Sequence, residues 1–341
     1  MKKPDTINGK EIMMIHSKRL LVYGDVEMDI LLQTENVQAR GDDAKVSNLA
    51  FSPGGSAANC AAIAASLGQQ VTLLGSLGND VWRKPLTQDL KRHKVDIRLV
   101  STPPGQSGTC VALVDGSGER KFYSFRGVNE SAPPPLPDAV VWKKHQCLHL
   151  SGYSFQEPGS AAVARALLHE AHRFGLTVSL DPSYLFAKQQ PDDIDDILNK
   201  TDLIFPNLEE ATMLSGMRDP RDAAQSLLSR GVKMVAVTLG GDGCLVSCAS
   251  GTESVRIQPT EKVLDSTGAG DAFCGGFLTA WLNGLDPWQS ARMGSAAAAY
   301  VVTRLGAREH TPTLSDVVQI LRANHEGTLA DSLAQKFHLQ D

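Results

Sequence analysis

The sequence of 341 residues is poor in several features that mark common classes of protein. Aromatic residues make up only 6% of it and the net charge is -5, so neither a base-stacking surface nor the basic face of a nucleic-acid-binding protein is expected. No apolar run approaches the ~20 residues that span a bilayer. These absences predict a protein with neither a nucleic-acid partner nor a membrane partner.

Paired cysteine motifs are also missing. The six cysteines are scattered and no two of them form Cys-x-x-Cys, which argues against both a disulfide framework and a zinc site. We therefore expect reduced thiols in a cytoplasmic protein. His169 and His172 lie three residues apart on a predicted helix, but two ligands alone do not make a metal site, and we interpret them as structural.

Apolar strands alternate with helices along most of the chain. A first strand is predicted at 19–24, and from residue 147 onward strands and helices follow each other regularly. This alternation predicts an α/β fold of three layers (α/β/α), in which helices cover both faces of a mostly parallel sheet. Four further strand candidates break the alternation and predict a small β-sheet lid, with segments at about 28–52 and 107–127. Its last two strands form a hairpin around Gly-Ser-Gly at 116–118.

The predicted boundaries leave a short segment at each end. The main domain is expected at 19–325. Residues 1–18 lack the apolar core of a signal peptide, because polar residues interrupt them, and we expect a loose tail there. A C-terminal tail is expected at 326–341.

The densest motif is Asp265-Ser-Thr-Gly-Ala-Gly-Asp271, which runs into an alanine-rich helix. Small residues and free backbone N–H groups at a helix N-terminus form a site for anions. Asp271 would then lie in the first turn. It could serve as a favourable charge at the helix dipole, or as a general base beside a bound phosphate.

Two other phosphate-binding motifs do not account for this segment. The spacing Gly268-x-Gly270-x-x-Phe273 lacks the third glycine of a dinucleotide-binding fingerprint and lies far from any first βαβ unit. No Walker A sequence occurs in the chain. An oxidoreductase function is therefore disfavoured, and a phosphate-binding enzyme must use another nucleotide-binding fold.

Polar and glycine-rich segments in the N-terminal part predict a second binding region. Pro53-Gly-Gly-Ser-Ala-Ala-Asn59 would let a ligand approach the backbone closely, or it is a plain loop with Asn59 near a helix start. Asp25 and Asp29 follow the first strand. Ligands of parallel α/β sheets bind beyond the carboxyl ends of the strands, so these carboxylates could accept sugar hydroxyls or simply lie on the surface.

Two weaker motifs lie in the C-terminal half. Asn207-x-x-Glu210 places both side chains on one helical face, a common spacing with little specificity. Thr238-Leu-Gly-Gly-Asp-Gly243 is a glycine-rich turn between strands. It needs no function as a hairpin, but it could also leave room for a flat purine.

Together these motifs resemble the ribokinase-like (PfkB) carbohydrate kinase family over residues 19–312. The Gly-Gly-x-x-x-Asn near the front and the Asp-x-Thr-Gly-Ala-Gly-Asp near the end carry the resemblance, with Val302-Thr-Arg-Leu-Gly-Ala307 after the penultimate helix. The resemblance implies a ribokinase-like fold with a β lid, ATP and Mg²⁺ as cofactors, K⁺ as a candidate third cofactor, and a lid that could pair into a homodimer.

The resemblance also implies a role for individual residues. Asp271 matches the catalytic base, and Gly268, Ala269 and Gly270 match the anion hole over the transferred phosphate. The implied sugar-binding residues are Asp29, Gly54, Gly55 and Asn59, with Arg126 as a substrate-binding or lid arginine. Nucleotide-binding positions are Asn207, Thr238, Gly240 and Gly243, and Glu210 would act on magnesium through water. The implied monovalent-cation loop comprises Asp265, Thr267, Val301, Arg304 and Gly306.

Several positions depart from the ribokinase pattern. Ser56 stands where ribokinase has a lysine after the paired glycines, Glu27 stands in place of an asparagine, and His310 replaces a serine that closes the cation loop. These departures leave the substrate sugar unspecified, and the cation loop differs from the ribokinase pattern at His310.

The expected function is ATP-dependent phosphorylation of a hydroxyl, expected to be a primary hydroxymethyl, of a small sugar or sugar derivative, with Asp271 as the general base and a glycine-rich anion hole. A nucleoside kinase of the same family is the near alternative, which an aromatic lid lining from Tyr23, Phe51 or Phe125 would favour. A non-catalytic sugar-binding regulator is the alternative from another class, although an intact Asp271 argues against it.

Overall fold

The computed structural model describes residues 18–34, 45–114 and 120–337. Nearly all of the predicted N-terminal tail and the Gly-Ser-Gly of the hairpin lie outside these residues. Within them, no helix is long and apolar enough to cross a bilayer.

Two β-sheets form the frame of the described part of the chain. The strands in chain order are β1 Arg19–Tyr23, β2 Glu27–Thr34, β3 Val46–Gly54, β4 Gln70–Ser76, β5 Asp96–Ser101, β6 Gly108–Val114, β7 Arg120–Phe125, β8 Cys147–Ser151, β9 Thr177–Asp181, β10 Leu203–Ile204, β11 Met234–Thr238, β12 Cys244–Cys248 and β13 Gly251–Val255. The large sheet has the order β13-β12-β11-β10-β9-β8-β1-β4-β5, and the small one has the order β3-β2-β6-β7. The large sheet is parallel except at β12 and β13, as expected of an α/β fold.

Helices cover both faces of the large sheet. In chain order they are α1 Ser56–Ser66, α2 Arg83–Arg92, α3 Val128–Ser131, α4 Ala139–Lys144, α5 Pro158–Phe174, α6 Tyr184–Gln189, α7 Ile194–Asn199, α8 Leu208–Ser215, α9 Pro220–Ser229, α10 Ala269–Leu282, α11 Pro287–Val301, α12 Leu314–Ala323 and α13 Gly327–Lys336. One core layer packs α1, α2 and α10 to α13 against the sheet, and the other packs α4 to α9. The three-layer fold with a β lid is confirmed.

Small residues bring the helices of the first layer close together. Gly276 of α10 lies so near Gly294 of α11 that an added Cβ would come within 2.9 Å of the Gly294 Cα. A Cβ on Gly275 would come within 2.9 Å of the carbonyl of Cys60 in α1. Because α1 and α10 pack side by side, their N-termini lie next to each other at the carboxyl edge of the parallel strands.

The structure differs from the sequence prediction at several elements. Residues 326–341 were expected to form a tail, yet α13 begins at Gly327 and buries Leu329, Ala330 and Leu333 against the core. Strand β10 has only two residues, Leu203–Ile204, within the region where the sequence predicts regular alternation of strands and helices. The sequence analysis also missed α2, β5 and β13.

Candidate active site

Asp271 lies in the first turn of α10 and is held by two donors from α1. The Ser56 hydroxyl donates to its Oδ1 at 2.8 Å, and the Asn59 Nδ2 donates to its Oδ2 at 2.8 Å. Burial raises the pKa of this carboxyl, while the hydrogen bonds from Asn59 and Ser56 and the charge of Arg308 lower it. The segment Pro53–Asn59 and the segment Asp265–Asp271 therefore meet at the carboxylate of Asp271.

A cavity of about 800 Å³ opens in front of Asp271, and we name it the acidic cavity because six carboxylates line it. They are Asp25, Glu27, Asp29, Asp181, Glu210 and Asp271. The lid contributes Glu27, Asp29, Cys110, Phe122 and Ser124, and residues at or after the strand ends of the large sheet contribute much of the remainder. This arrangement confirms that ligand-sized space lies beyond the carboxyl ends of the parallel strands.

The crowded carboxylates perturb one another. Burial and the nearby Asp271 raise the pKa of Asp29 to about 7, although Arg308 opposes the shift. Burial raises the pKa of Glu27 well above its usual range, and so do the charges of Asp25 and Asp29. Hydrogen-bond donors or a cation in this cavity would therefore relieve an existing electrostatic cost.

The paired glycines of the predicted sugar-binding loop allow a close approach. A Cβ on Gly54 would lie 2.3 Å from the Asp29 Oδ2, so a larger residue would displace that carboxylate. Gly55 has φ +96°, a backbone conformation that favours glycine, and it leads directly into α1. The structure thus brings together Asp29, Gly54, Gly55 and Asn59, and their contact with a sugar stays a prediction.

Arg126 lies in the wall of the acidic cavity but is committed to protein partners. Its Nε and Nη2 donate to the two oxygens of Asp25 at 2.9 and 2.6 Å, and its Nη1 donates to the Tyr153 carbonyl. Both side chains of the ion pair are only 8% exposed. Arg126 therefore anchors the lid to the end of β1, and its predicted contact with substrate stays a prediction.

Asn207 and Glu210 form a capping box at the start of α8. The Glu210 N–H donates to Asn207 Oδ1 and the Asn207 N–H donates to Glu210 Oε2, both at 2.9 Å. Both residues also line the acidic cavity. The described residues contain no group of three or more His, Cys, Asp or Glu side chains arranged as a metal site. Carboxylate oxygens without such a cage suit Mg²⁺, which keeps several waters.

A second cavity, of about 240 Å³, lies on the other side of Gly270, and we name it the apolar cavity. Its walls combine glycines of the β11–β12 turn with apolar side chains of the core, namely Gly240, Gly241, Gly243, Ile257, Pro259, Val263, Phe273, Ala298, Ala299 and Val302. Thr238 and Gly270 line both cavities. The predicted nucleotide-binding residues Thr238, Gly240 and Gly243 therefore meet here.

The predicted anion hole forms the partition between the two cavities. Gly268 has φ +76°, and a Cβ there would lie 2.6 Å from that of Ala307, so the position requires glycine. The Ala269 N–H donates to the Ser266 carbonyl at 3.2 Å. Of the three residues of the predicted anion hole, Gly270 is the one that lines both cavities.

The predicted cation loop is tied together by Asp265. Its Oδ1 accepts from the Thr267 N–H at 2.9 Å, and its Oδ2 accepts from the Gly306 N–H at 3.1 Å. The Val301 carbonyl accepts from the Arg304 N–H at 3.0 Å. Asp265 therefore joins the two segments of the loop, while His310 is exposed on the protein surface.

Of the residues at this site that sequence reasoning missed, two carry a charge. Asp181 ends β9, lines the acidic cavity and lies 3.4 Å from the Ser56 hydroxyl, and the positional rule applied to Asp25 could have found it. Arg308 is fully buried and contacts Asn59, and no motif indicated it.

The fold and these two cavities define a phosphotransferase of the α/β/α class with a lid, and comparison with known proteins agrees. Residues 17–314 match the family model of the pfkB family carbohydrate kinases. The chain is 32% identical over 308 residues to an ATP-dependent ribose-1-phosphate kinase of Halopiger xanaduensis, covering 89% of this chain and 98% of that one. It is 30% identical over 295 residues to a cytidine kinase of Thermococcus kodakarensis, covering 84% and 97%.

A solved structure agrees as well. The crystal structure of ribokinase from Thermotoga maritima superposes with a TM-score of 0.78 at 27% identity, covering 89% of this chain and 99% of that chain. The chain therefore belongs to the PfkB family of carbohydrate kinases and is an ATP-dependent kinase of a sugar or nucleoside.

Proposed function

We propose that this chain transfers the terminal phosphoryl group of ATP to a hydroxyl, a primary hydroxymethyl, of a small uncharged sugar. The observation that carries the proposal is the position of Asp271 and Gly270 where the acidic and apolar cavities meet. An acceptor in one cavity and a nucleotide in the other would meet at a carboxylate and a helix N-terminus. Such a terminus suits a phosphoryl group.

The apolar cavity supports binding of the nucleotide base. Its glycine backbone and its apolar walls at Ile257 and Ala298 fit a flat ring, and Gly270 lies at its inner end. Asn207 and Glu210 would hold Mg²⁺ through water on the acidic side. When bound, Mg²⁺ neutralises charge on the phosphates.

The acceptor chemistry rests on Asp271. Its carboxylate would take the proton of the acceptor hydroxyl as the oxygen attacks the phosphorus, which makes it the general base. Ser56 and Asn59 hold the carboxylate in one orientation, so little rearrangement is needed at the moment of reaction. Positioning and charge neutralisation supply most of the rate in phosphoryl transfer.

The charge of the acidic cavity favours an uncharged acceptor. Asp29 and Glu27 would form hydrogen bonds with sugar hydroxyls, whereas a phosphate or carboxylate on the acceptor would add negative charge to a cavity in which burial and neighbouring carboxylates already raise the pKa of both residues. Among the described residues that line the cavity, Arg126 is the one lysine or arginine, and Asp25 already pairs with it.

A nucleoside is the second candidate acceptor. The aromatic side chains that line the acidic cavity are Phe122, Tyr153, Tyr184 and Phe205. They are different residues from those the sequence analysis named: Tyr23 is buried in the large sheet, and Phe51 and Phe125 do not line the cavity. The similarity to a cytidine kinase supports this candidate too.

The test is ADP release from magnesium-ATP with a panel of acceptors. The panel contains neutral pentoses and hexoses, the same sugars carrying a phosphate, sugar acids and nucleosides, with Asp271→Asn as the inactive control. We expect the highest kcat/KM with a neutral sugar. A nucleoside with a higher value would establish the second candidate, and sugar binding without any turnover would make the protein a regulator.

We also propose that K⁺ activates the enzyme through the loop that Asp265 ties together. Carbonyl and carboxylate oxygens suit a hard monovalent cation, and this loop packs against Gly268 through Ala307. Rates in potassium, sodium and choline salts at matched ionic strength test this idea. Identical rates after exhaustive dialysis would refute it.

The lid supports the proposal of a homodimer. The strand registers place Leu49, Phe51, Tyr123 and Phe125 on the lid face opposite Asp29, and each is about half exposed. Burial of such an apolar face against a second copy would remove it from water. Light scattering of the wild type and of Tyr123→Asp tests the dimer, since the variant should be monomeric.

A cytoplasmic location is the last part of the proposal. All six cysteines are free, and four of them are buried, namely Cys60, Cys147, Cys244 and Cys274. Burial raises the pKa of Cys147 to about 12, so its thiol stays protonated at neutral pH. Free thiols in the core are typical of a reducing compartment.

A further inference from the structure

Arg308 is a buried arginine that no proposed step of the reaction uses. It follows α11 by several residues and has no exposed surface. Its Nε donates to Asp89 Oδ2 of α2 at 2.8 Å, and Asp89 also contacts Arg92 and His93. Burying a guanidinium is costly even when it is paired, so its position calls for an explanation beyond stability.

The other contacts of Arg308 lead toward the active site. Its Nη1 donates to the Gly54 carbonyl at 2.9 Å and to Asn59 Oδ1 at 3.0 Å. Its Nη2 is buried and has no hydrogen-bond partner among the described residues, a cost that stability alone does not explain. Arg308 therefore spans from the outer helix α2 to the loop and helix that surround the acceptor.

The contact with Asn59 determines which way its amide faces. Asn59 Oδ1 accepts from Arg308, so Nδ2 lies on the opposite side and donates to Asp271 Oδ2 at 2.8 Å. A flipped amide would place its NH₂ against the guanidinium and its oxygen against the carboxylate, and both contacts would be repulsive. One orientation of the amide is therefore favoured on both sides.

We propose that Arg308 is a positioning residue for the general base: it orients the Asn59 amide so that Asn59 donates to Asp271, and it holds the Gly54 loop beside the acceptor. This inference rests on the proposed role of Asp271. It assigns Arg308 an effect on the protonation and the orientation of the base, without contact with the acceptor.

Removal of Arg308 should raise the pKa of the Asp271 carboxyl. The positive charge and the Asn59 hydrogen bond both lower the pKa of Asp271, against the effect of burial. The other titratable groups whose charge couples to Asp271 are Asp29 of the lid, Cys60 of α1, Tyr153 after β8, Asp181 of β9 and Cys274 of α10. Burial raises the pKa of the two thiols and the phenol, so these three stay neutral across the working range.

The experiment is the pH dependence of kcat at saturating acceptor and ATP between pH 5.5 and 9. A base must be deprotonated to act, so in Arg308→Met the acid limb should move to higher pH by about half to one unit. Activity at pH 6 should then fall about 3- to 10-fold more than activity at pH 8.5. The same displacement in an Asp29→Asn background excludes Asp29 as its source and favours Asp271, whose pKa Arg308 lowers.

Three further variants separate positioning from folding. Arg308→Lys keeps the positive charge and a single donor nitrogen, so the acid limb of its pH profile should lie close to that of the wild type. Asp89→Asn should lower Tm without moving the limb. Arg165→Met removes an arginine of a surface ion pair with Asp193, so it matches the change in net charge, and it should leave the limb in place and lower Tm only slightly.

Two results would overturn the proposal. One is a pH-independent loss of kcat in Arg308→Met that tracks its loss of Tm. The other is failure to fold of both Arg308→Met and the double variant Arg308→Met/Asp89→Asn, because Arg308 would then act on stability. Absence of turnover in the wild type with every acceptor would count instead against the proposed function.

Discussion

The two cavities that meet at Gly270 are lined by residues of opposite polarity. The apolar cavity has glycines, alanines and branched aliphatic residues in its walls, and an acid or base does not occur among the described residues that line it. The acidic cavity has six carboxylates, and burial raises the pKa of most of them, for example of Glu27 and Asp181. The apolar cavity gives a ligand an apolar surface of fixed shape and glycine backbone, while the acidic cavity provides hydrogen-bond acceptors.

This difference shows how one fold divides two tasks. A nucleotide brings its own charge and its own metal, so its base needs only a dry, shaped space. A sugar is neutral and covered with hydroxyl groups, so the protein must supply acceptors to hold it, at the cost of crowding like charges. If this division is correct, substitutions in one cavity should leave the other ligand unaffected.

The largest effect should come from the residue at the junction of the cavities. Asp271→Asn keeps the shape but cannot accept a proton, so we expect kcat to fall by about 10²- to 10⁴-fold. The Kd for ATP should stay within a factor of two, measured by calorimetry. Ser266 lines the apolar cavity nearby, and Ser266→Ala serves as a control that should keep most of the wild-type kcat. Near-normal turnover in Asp271→Asn would disprove the general-base mechanism.

The next effect concerns the acidic cavity alone. Asp29→Ala removes a charged acceptor, and hydrogen bonds to charged groups are worth about 1.5–3 kcal/mol each. The sugar KM should therefore rise about 10- to 100-fold while the ATP KM is unchanged, in initial-rate measurements at pH 8. Equal increases in both KM values would mean that Asp29 holds the lid and not the sugar.

The reverse test fills the apolar cavity. Ala298 lines it from α11, and Ala298→Leu would occupy part of its roughly 240 Å³. Filling a packed space costs about 1–3 kcal/mol, so the ATP KM should rise about 10-fold with the sugar KM unchanged. Leu185→Ala in the acidic cavity is the matched variant and should change only the sugar KM. A rise of both KM values in either variant would contradict the division.

The same contrast explains what could be predicted from the sequence. The glycine-rich motifs were recognisable because close approach and positive φ restrict the residue type at Gly55 and Gly268. Helix α10 was predictable from its alanine-rich run after the motif. The α/β/α layers followed from the alternation of strands and helices, which depends on local periodicity alone.

The remaining features depend on contacts that are distant along the chain. Arg308 lies 249 residues from Asn59 and 219 from Asp89, so no local pattern announces it. Helix α13 is short, and its three buried apolar residues join the core through tertiary packing, including that on α12, so the sequence alone predicts a tail there. Helix α2 was not predicted either, because its composition is polar and few of its side chains are buried.

The smallest expected effect is on stability, and it tests the electrostatic cost of the acidic cavity. The pKa of Asp29 is about 7 in the folded protein against an ordinary value near 3.8. Its ionised form therefore destabilises the fold above pH 7, and this cost vanishes as the pH falls through 7 toward 4. Asp29→Asn never carries the charge. In the absence of ligands its Tm should exceed that of the wild type by about 3 °C at pH 8 and by less than about 1 °C at pH 4.5, because the cost is lost completely only below the ordinary pKa of 3.8.

A surface carboxylate supplies the control for this measurement. The ion pair with Arg165 lowers the pKa of Asp193, so its stabilising contribution is complete above its ordinary pKa and is lost only in stronger acid. Asp193→Asn should therefore change Tm by the same small amount at pH 8 and at pH 4.5. If Asp29→Asn behaved in the same pH-independent way, the lid carboxylate would carry no electrostatic cost, and the contrast between the two cavities would be one of composition only.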